Sequence, residues 1–154
     1  MYKRLIIFMI CVITAFPVFS LNIPLTVEEL TMLSDTIISG HVAKVEPYWD
    51  PGRKFIYSKI TVDVDEQYRG ETAGDSCEIH MLGGEMEKIG LRVSGYTQPH
   101  AGEHMMFFLT KDETKNIYHL PQGDQAKISM NNLTAQQKNH LRSRINNVLQ
   151  LLHK

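Results

Sequence analysis

Residues 55–68 read FIYSKITVDVDEQY, and the period of this stretch is two. Ile56, Ile60, Val62 and Val64 fall on one side of an extended chain, and Lys59, Thr61, Asp63 and Asp65 on the other. β-Branched residues alternating with polar ones describe a half-buried strand with a wet outer face. A helix would scatter the same residues around its circumference. The neighbouring segments repeat the pattern. Upstream, Thr36 to Glu46 alternates, with Ile37, Ala43 and Val45 on one face and Ile38 and Val42 on the other. Between the two strands lies PYWDPGR (47–53), dense in turn formers, with Asp50-Pro51-Gly52 as the tight turn.

Downstream, Cys77 to Leu82 forms a third strand, and Gly83-Gly84 marks a bend or bulge. Ile89, Leu91 and Val93 alternate as a fourth. His104 to Thr110 contains MMFFL, apolar on both faces, as expected of a central strand. Ile117–Leu120 and Ala126–Met130 read as a closing pair around Pro121-Gln122-Gly123-Asp124. Two helices flank the strands. Thr26 with Glu29 makes a capping box for a short helix whose stripe is Val27, Leu30 and Leu33, with Met32 beside them. Thr134 with Gln137 caps a longer one, about residues 134–152, with Leu141, Ile145, Val148, Leu149 and Leu152 as its apolar stripe. Short strands punctuated by Gly and Pro imply a mainly β fold, a closed or nearly closed barrel or a sandwich.

The first twenty residues, MYKRLIIFMICVITAFPVFS, carry an address. Lys3 and Arg4 precede an apolar run from Leu5 to Phe19, and Val18 and Ser20 stand at the −3 and −1 positions of a cleavage site. This is an export signal over residues 1–20, with residues 21–154 as one mature domain. The alternative, a retained anchor, is disfavoured because the run is shorter than the ~20 apolar residues a span needs. Cleavage leaves 134 of 154 residues, with 14 Lys and Arg against 17 Asp and Glu, a formal charge of −3. That balance argues against nucleic acid as a partner. The basic cluster Lys138, Arg142 and Arg144 reads as a solvated helix face. Cys77 remains as the lone mature cysteine, so no internal disulfide forms, and its alternation with Ile79 and Met81 makes it a buried, inert thiol. An exported chain without disulfides suits a bacterial envelope, periplasmic or extracellular.

The landmarks Ser34-Asp35-Thr36-Ile37-Ile38-Ser39-Gly40-His41-Val42, Ile56-Tyr57-Ser58 through Tyr68-Arg69-Gly70, Gly83-Gly84, and Gly102-Glu103 leading to Phe108-Leu109 carry a resemblance. Their order is similar to that of small exported bacterial domains of unknown function that occur alone or beside matrixin-like metalloproteases. It also resembles netrin-like and tissue-inhibitor-of-metalloproteinases barrels. The resemblance implies an OB-like barrel of five to seven strands with a short N-terminal and a longer C-terminal helix. The inhibitors ligate protease zinc through an N-terminal cysteine held by disulfides. Here Leu21 is the expected mature N-terminus, so inhibition by that mechanism is not supported.

Three readings of function follow. In the first, the chain is an exported, non-catalytic module that binds an envelope or extracellular protein or a glycan. Tyr48 and Trp49, in the turn and with Tyr57 and Tyr68 near, would stack on the ligand, or the bend from Gly84 to Lys88 would touch it; the alternative is that both rings cap one end of the barrel. In the second, it is a metal-dependent enzyme or metal-binding protein. His100-Ala101-Gly102-Glu103-His104 matches H-x-x-E-H, but Pro99, Gly102 and the strand that follows deny the helix that motif requires. A site of His80, His100 and His104, with His41, gathered from neighbouring strands stays open. Asp63, Asp65 and Glu66 read as calcium ligands or as a solubilising strand face. In the third, the chain is a structural envelope component. No catalytic residues and no cofactor are assigned.

Overall fold

The two-residue period of 55–68 is realised as β2, inside a mainly β chain with two helices among the described residues. The computed structural model describes residues 23–152 apart from Ala73 and Asn116; the export signal expected over residues 1–20 lies outside the described residues. The elements are α1 (Val27–Leu33), β1 (Thr36–Trp49), β2 (Ile56–Arg69), β3 (Ser76–Leu82), β4 (Gly84–Met86), β5 (Ile89–Leu91), β6 (His104–Asp112), β7 (Ile117–His119), β8 (Lys127–Ser129) and α2 (Ala135–Leu152). Among the described residues no helix is long and apolar enough to cross a membrane.

The main sheet runs β1-β2-β3-β7-β6-β8, and β1 also pairs with β6. Five strands, β1-β2-β3-β7-β6, therefore close into a ring. β3 and β7 are parallel, and the other contacts in the ring are antiparallel. Ile38, Val42, Ile60, Val62, Ile79, Met81 and Phe107 are buried, and their alternation along the strands places them inside the ring.

The other face of β1 and β6 is also covered. Ile37 pairs with Phe108 and Ser39 with Met106, and all four are buried. Leu30 from α1 and Leu141, Ile145 and Leu149 from α2 belong to the same apolar cluster. This second layer is why MMFFL carries no polar residue on either face.

Both capping boxes form. Thr26 N donates to Glu29 Oε2 at 2.8 Å, and Thr134 N to Gln137 Oε1 at 2.9 Å. The stripe of α1 is narrower than expected, because Met32 and Leu33 are half-exposed and Thr31 is buried in their place. The arginines of α2 keep more than a third of their side-chain surface exposed, as expected of a solvated face, but both are paired. Arg142 bonds Glu66 and Tyr68 on β2, and Arg144 makes a two-pronged pair with Glu28 on α1 at 2.6 and 2.5 Å. A planar guanidinium matches a carboxylate in this way, so the two helices are clamped together.

The Arg144 hydrogen bonds hold the Glu28 carboxyl at about 2, well below 4.5. A depressed carboxyl stabilises the fold above its unfolded pKa, and the contribution disappears as pH falls from about 4.5 through about 2. Both side chains are more than a third exposed, which limits the effect to about 1 kcal/mol. Glu28→Gln is therefore expected to lower the urea midpoint slightly at neutral pH and by much less at about pH 2. An equal deficit at both pH values would show that the pair contributes nothing through its charge.

Several strand expectations are corrected. β1 continues through Pro47, Tyr48 and Trp49, so the turn begins only at Asp50. There the Asp50 carboxylate accepts from the backbone N–H of Lys54 at 2.6 Å and Phe55 at 2.7 Å. Ala43 is exposed, because the β1–β2 register shifts between Val42 and Lys44 and leaves it unpaired. Ile89 and Leu91 belong to a two-stranded hairpin, β4–β5, with Ile89 exposed; Val93 lies beyond it in an isolated bridge to Tyr96. β7 and β8 do not pair with one another. Both pair antiparallel with the same edge of β6, β7 against residues 110–112 and β8 against 105–107. They are one strand path interrupted by the segment that holds the Gly123–Ala126 3-10 turn.

Candidate functional site

Strand alternation decides the aromatic cluster. Tyr48 is opposite Tyr57, and Trp49 is opposite the buried Ile56. Successive strand residues face opposite ways, so Tyr48 and Tyr57 share the outer face while Trp49 turns to the inner one. The expected Tyr48–Trp49 pair is thus replaced by Tyr48–Tyr57, with ring centroids 5.9 Å apart and planes inclined by 27°.

The next outer row is Glu46, Lys59, His80 and His119, placed side by side by the β1–β2, β2–β3 and β3–β7 registers. Tyr48 Oη lies 2.6 Å from His80 Nδ1, and His80 Nε2 lies 2.8 Å from Glu78 Oε1. A carboxylate only accepts, so in the neutral imidazole Nε2 carries the proton and Nδ1 accepts from the tyrosine. His119 Nδ1 donates to the His80 carbonyl at 3.1 Å. Burial, then Tyr57 and Glu78, push the Tyr48 phenol above its ordinary value, so it stays protonated as a donor. Lys59 sits 3.5 Å from Glu78 and 3.9 Å from Glu46. The patch is two stacked rings edged by a fixed histidine and paired charges.

A second cluster forms on the outer face of β1, β2 and β6. His41 and His104 are directly opposed in the β1–β6 register and stack at 4.5 Å, with planes 18° apart. Asp65 reaches them through a bulge. The β1–β2 register passes from Ser39–Glu66 to Gly40–Val64, leaving Asp65 without a partner strand residue. Bulges of this kind re-aim a side chain. Asp65 Oδ2 lies 3.7 Å from His41 Nε2 and 3.3 Å from His104 Nε2. The latter contact lacks hydrogen-bond geometry, so the buried His104 Nε2 has no hydrogen-bond partner. Burial and the neighbouring His41 hold the His104 imidazole below its ordinary pKa, against the opposing pull of Asp65.

The histidines expected to gather do not all do so. His104 joins His41 and Asp65, the one group of three metal-capable side chains in mutual reach among the described residues. His80 belongs to the tyrosine patch. His100 is exposed on a turn and bonds Glu103, the acid of the H-x-x-E-H motif, at 3.3 Å. His104 by contrast begins β6, so the two histidines of the motif lie on different elements. Of the acids, Glu66 pairs with Arg142.

A third feature is a cleft of about 520 Å³ beside the β4–β5 hairpin, bordered by Leu91, Tyr96 and Gln98. Both amide atoms of Gln98 are buried without a hydrogen-bond partner. Cys77 supplies no nucleophile: burial pushes its thiol up to about 12. Compared with known proteins, the chain matches no family model and no curated sequence.

Proposed function

We propose that this is an exported, non-catalytic binding module built on an OB-like barrel of the kind the netrin-like resemblance implies. Its outer face of Tyr48, Tyr57 and His80 receives a glycan. The export reading rests on residues 1–20 alone. The barrel reading is supported by the ring β1-β2-β3-β7-β6-β1, a five-stranded Greek-key order. In barrels of this type the face of the second and third strands and the loop between the first two carry ligands, oligosaccharides among them. Tyr57 stands on β2 and His80 on β3, with Tyr48 beside the β1–β2 turn.

The observation that carries the proposal is the outer-face pairing of Tyr48 with Tyr57, with His80 locked against Tyr48 and Glu78. Aromatic faces stack on the apolar face of a sugar ring, and Glu46, Glu78 and Lys59 stand ready for its hydroxyls.

Screening the exported protein on a glycan array tests this. Tyr57→Ala is expected to weaken the best ligand about tenfold, or ~1.4 kcal/mol. Trp49→Ala, on the other face, is expected to leave binding unchanged. A Tyr57→Ala protein that binds as well as the wild type would sink the proposal. Capture of an envelope polypeptide, lost in Tyr57→Ala, would replace the glycan with a protein partner.

A further inference from the structure

The geometry points to a Zn²⁺ site formed by His41, Asp65 and His104 on the outer face of β1, β2 and β6. It is separate from the Tyr48–Tyr57 patch and stands whether or not that patch binds a glycan.

Three independent features of the chain converge on one point. The β1–β6 register sets the two histidines opposite one another. The bulge at Asp65 turns its carboxylate toward both imidazoles. The donor atoms of all three lie within 4.8 Å of one another. Zinc holds nitrogen and oxygen donors at about 2.1 Å, and tetrahedral angles at that radius separate donors by about 3.4 Å. The observed Nε2–Oδ2 separations, 3.3 and 3.7 Å, match this spacing, while the imidazoles, stacked with planes 18° apart, must turn to aim both lone pairs at one ion. A hydrogen-bonded ion pair would align at least one nitrogen with the carboxylate, yet the buried His104 Nε2 lacks a hydrogen-bond partner. A common cation would satisfy both nitrogens and the oxygen together.

The donor set also selects the ion. Two imidazoles and one carboxylate suit zinc, whereas calcium and magnesium prefer oxygen donors throughout. The His41 and Asp65 side chains are 54% and 46% exposed, so a fourth position opens to solvent. Three protein ligands and one open position is the arrangement in which zinc keeps a water or accepts a donor from a partner.

The test uses the chain without an affinity tag, stripped with a chelator and titrated with ZnCl₂ by calorimetry. One equivalent is expected to bind. His41→Ala and His104→Ala should each weaken binding at least about tenfold, and His80→Ala and His100→Ala should leave it unchanged. His41 is exposed enough that its replacement keeps the fold, so it decides the matter if His104→Ala unfolds. Absence of saturable one-to-one binding overturns the assignment, as does wild-type affinity in His41→Ala.

Discussion

Gly40→Ala is expected to destabilise the protein by about 3 kcal/mol, seen as a large drop in the urea midpoint with an unchanged slope. Gly40 sits in β1 between two strands, opposite Val64 on β2 and Met105 on β6. A Cβ at this position would lie 2.1 Å from the Asp63 carbonyl oxygen and 2.9 Å from Val62 Cγ1. The obstacle is backbone on a paired strand, so no flexible side chain can swing away. Relief requires β1 to move off β2 at the place where the ladder changes register at Asp65. The same movement would pull Asp65 from His41 and His104, so zinc binding should weaken along with stability. A loss of under about 1 kcal/mol in unfolding free energy would show that this strand junction yields to an added methyl.

Phe107→Ala is expected to cost about 3–5 kcal/mol, a large part of the ~5–15 kcal/mol that holds an ordinary domain together. Phe107 is fully buried, opposite Ile38 on one side of β6 and Lys127 on the other. Its ring fills the interior of the strand ring, where close-packed neighbours collapse only partly into a void. Phe107→Leu keeps most of the volume and should lose less than half as much. Equilibrium unfolding in urea measures both. If the alanine variant lost under about 1 kcal/mol, the interior would have to be loosely packed.

Local signals were legible wherever neighbours in sequence did the work. The capping residues Thr26 and Thr134 act on backbone three positions away, and both boxes form. The alternation of Ile56, Ile60 and Val62 marks a half-buried strand, and all three are buried. The unbroken MMFFL run is equally legible as a strand covered on both faces, although only the fold shows that helices cover one of them. Ala43 and Ile89 misled, since an apolar residue at the right parity is not buried where the ladder shifts register or the strand belongs to a surface hairpin. Ile117–Leu120 and Ala126–Met130 misled for a different reason. Two short apolar runs across a turn look like a hairpin, but β6 offers both of them the same edge.

The candidate sites lie further from the sequence. Tyr48 and Trp49 are adjacent residues in a turn-rich segment, and an extra three residues of strand sends their side chains apart. H-x-x-E-H placed His100 and His104 together on a line of text, yet His104 meets His41, 63 positions away by number. Nothing local announces Asp65 as the third member, because one unpaired residue at a bulge decides which way its carboxylate points.

By itself, then, the sequence determined the mainly β character, the two capped helices and the inert state of Cys77. Those follow from backbone propensity, periodicity and burial, which act over a few residues. The tertiary structure alone decided ring closure, the Tyr48–Tyr57–His80 face and the His41–Asp65–His104 cluster. Each depends on register between distant strands, and a slip of one residue would turn every side chain on a strand to the other face.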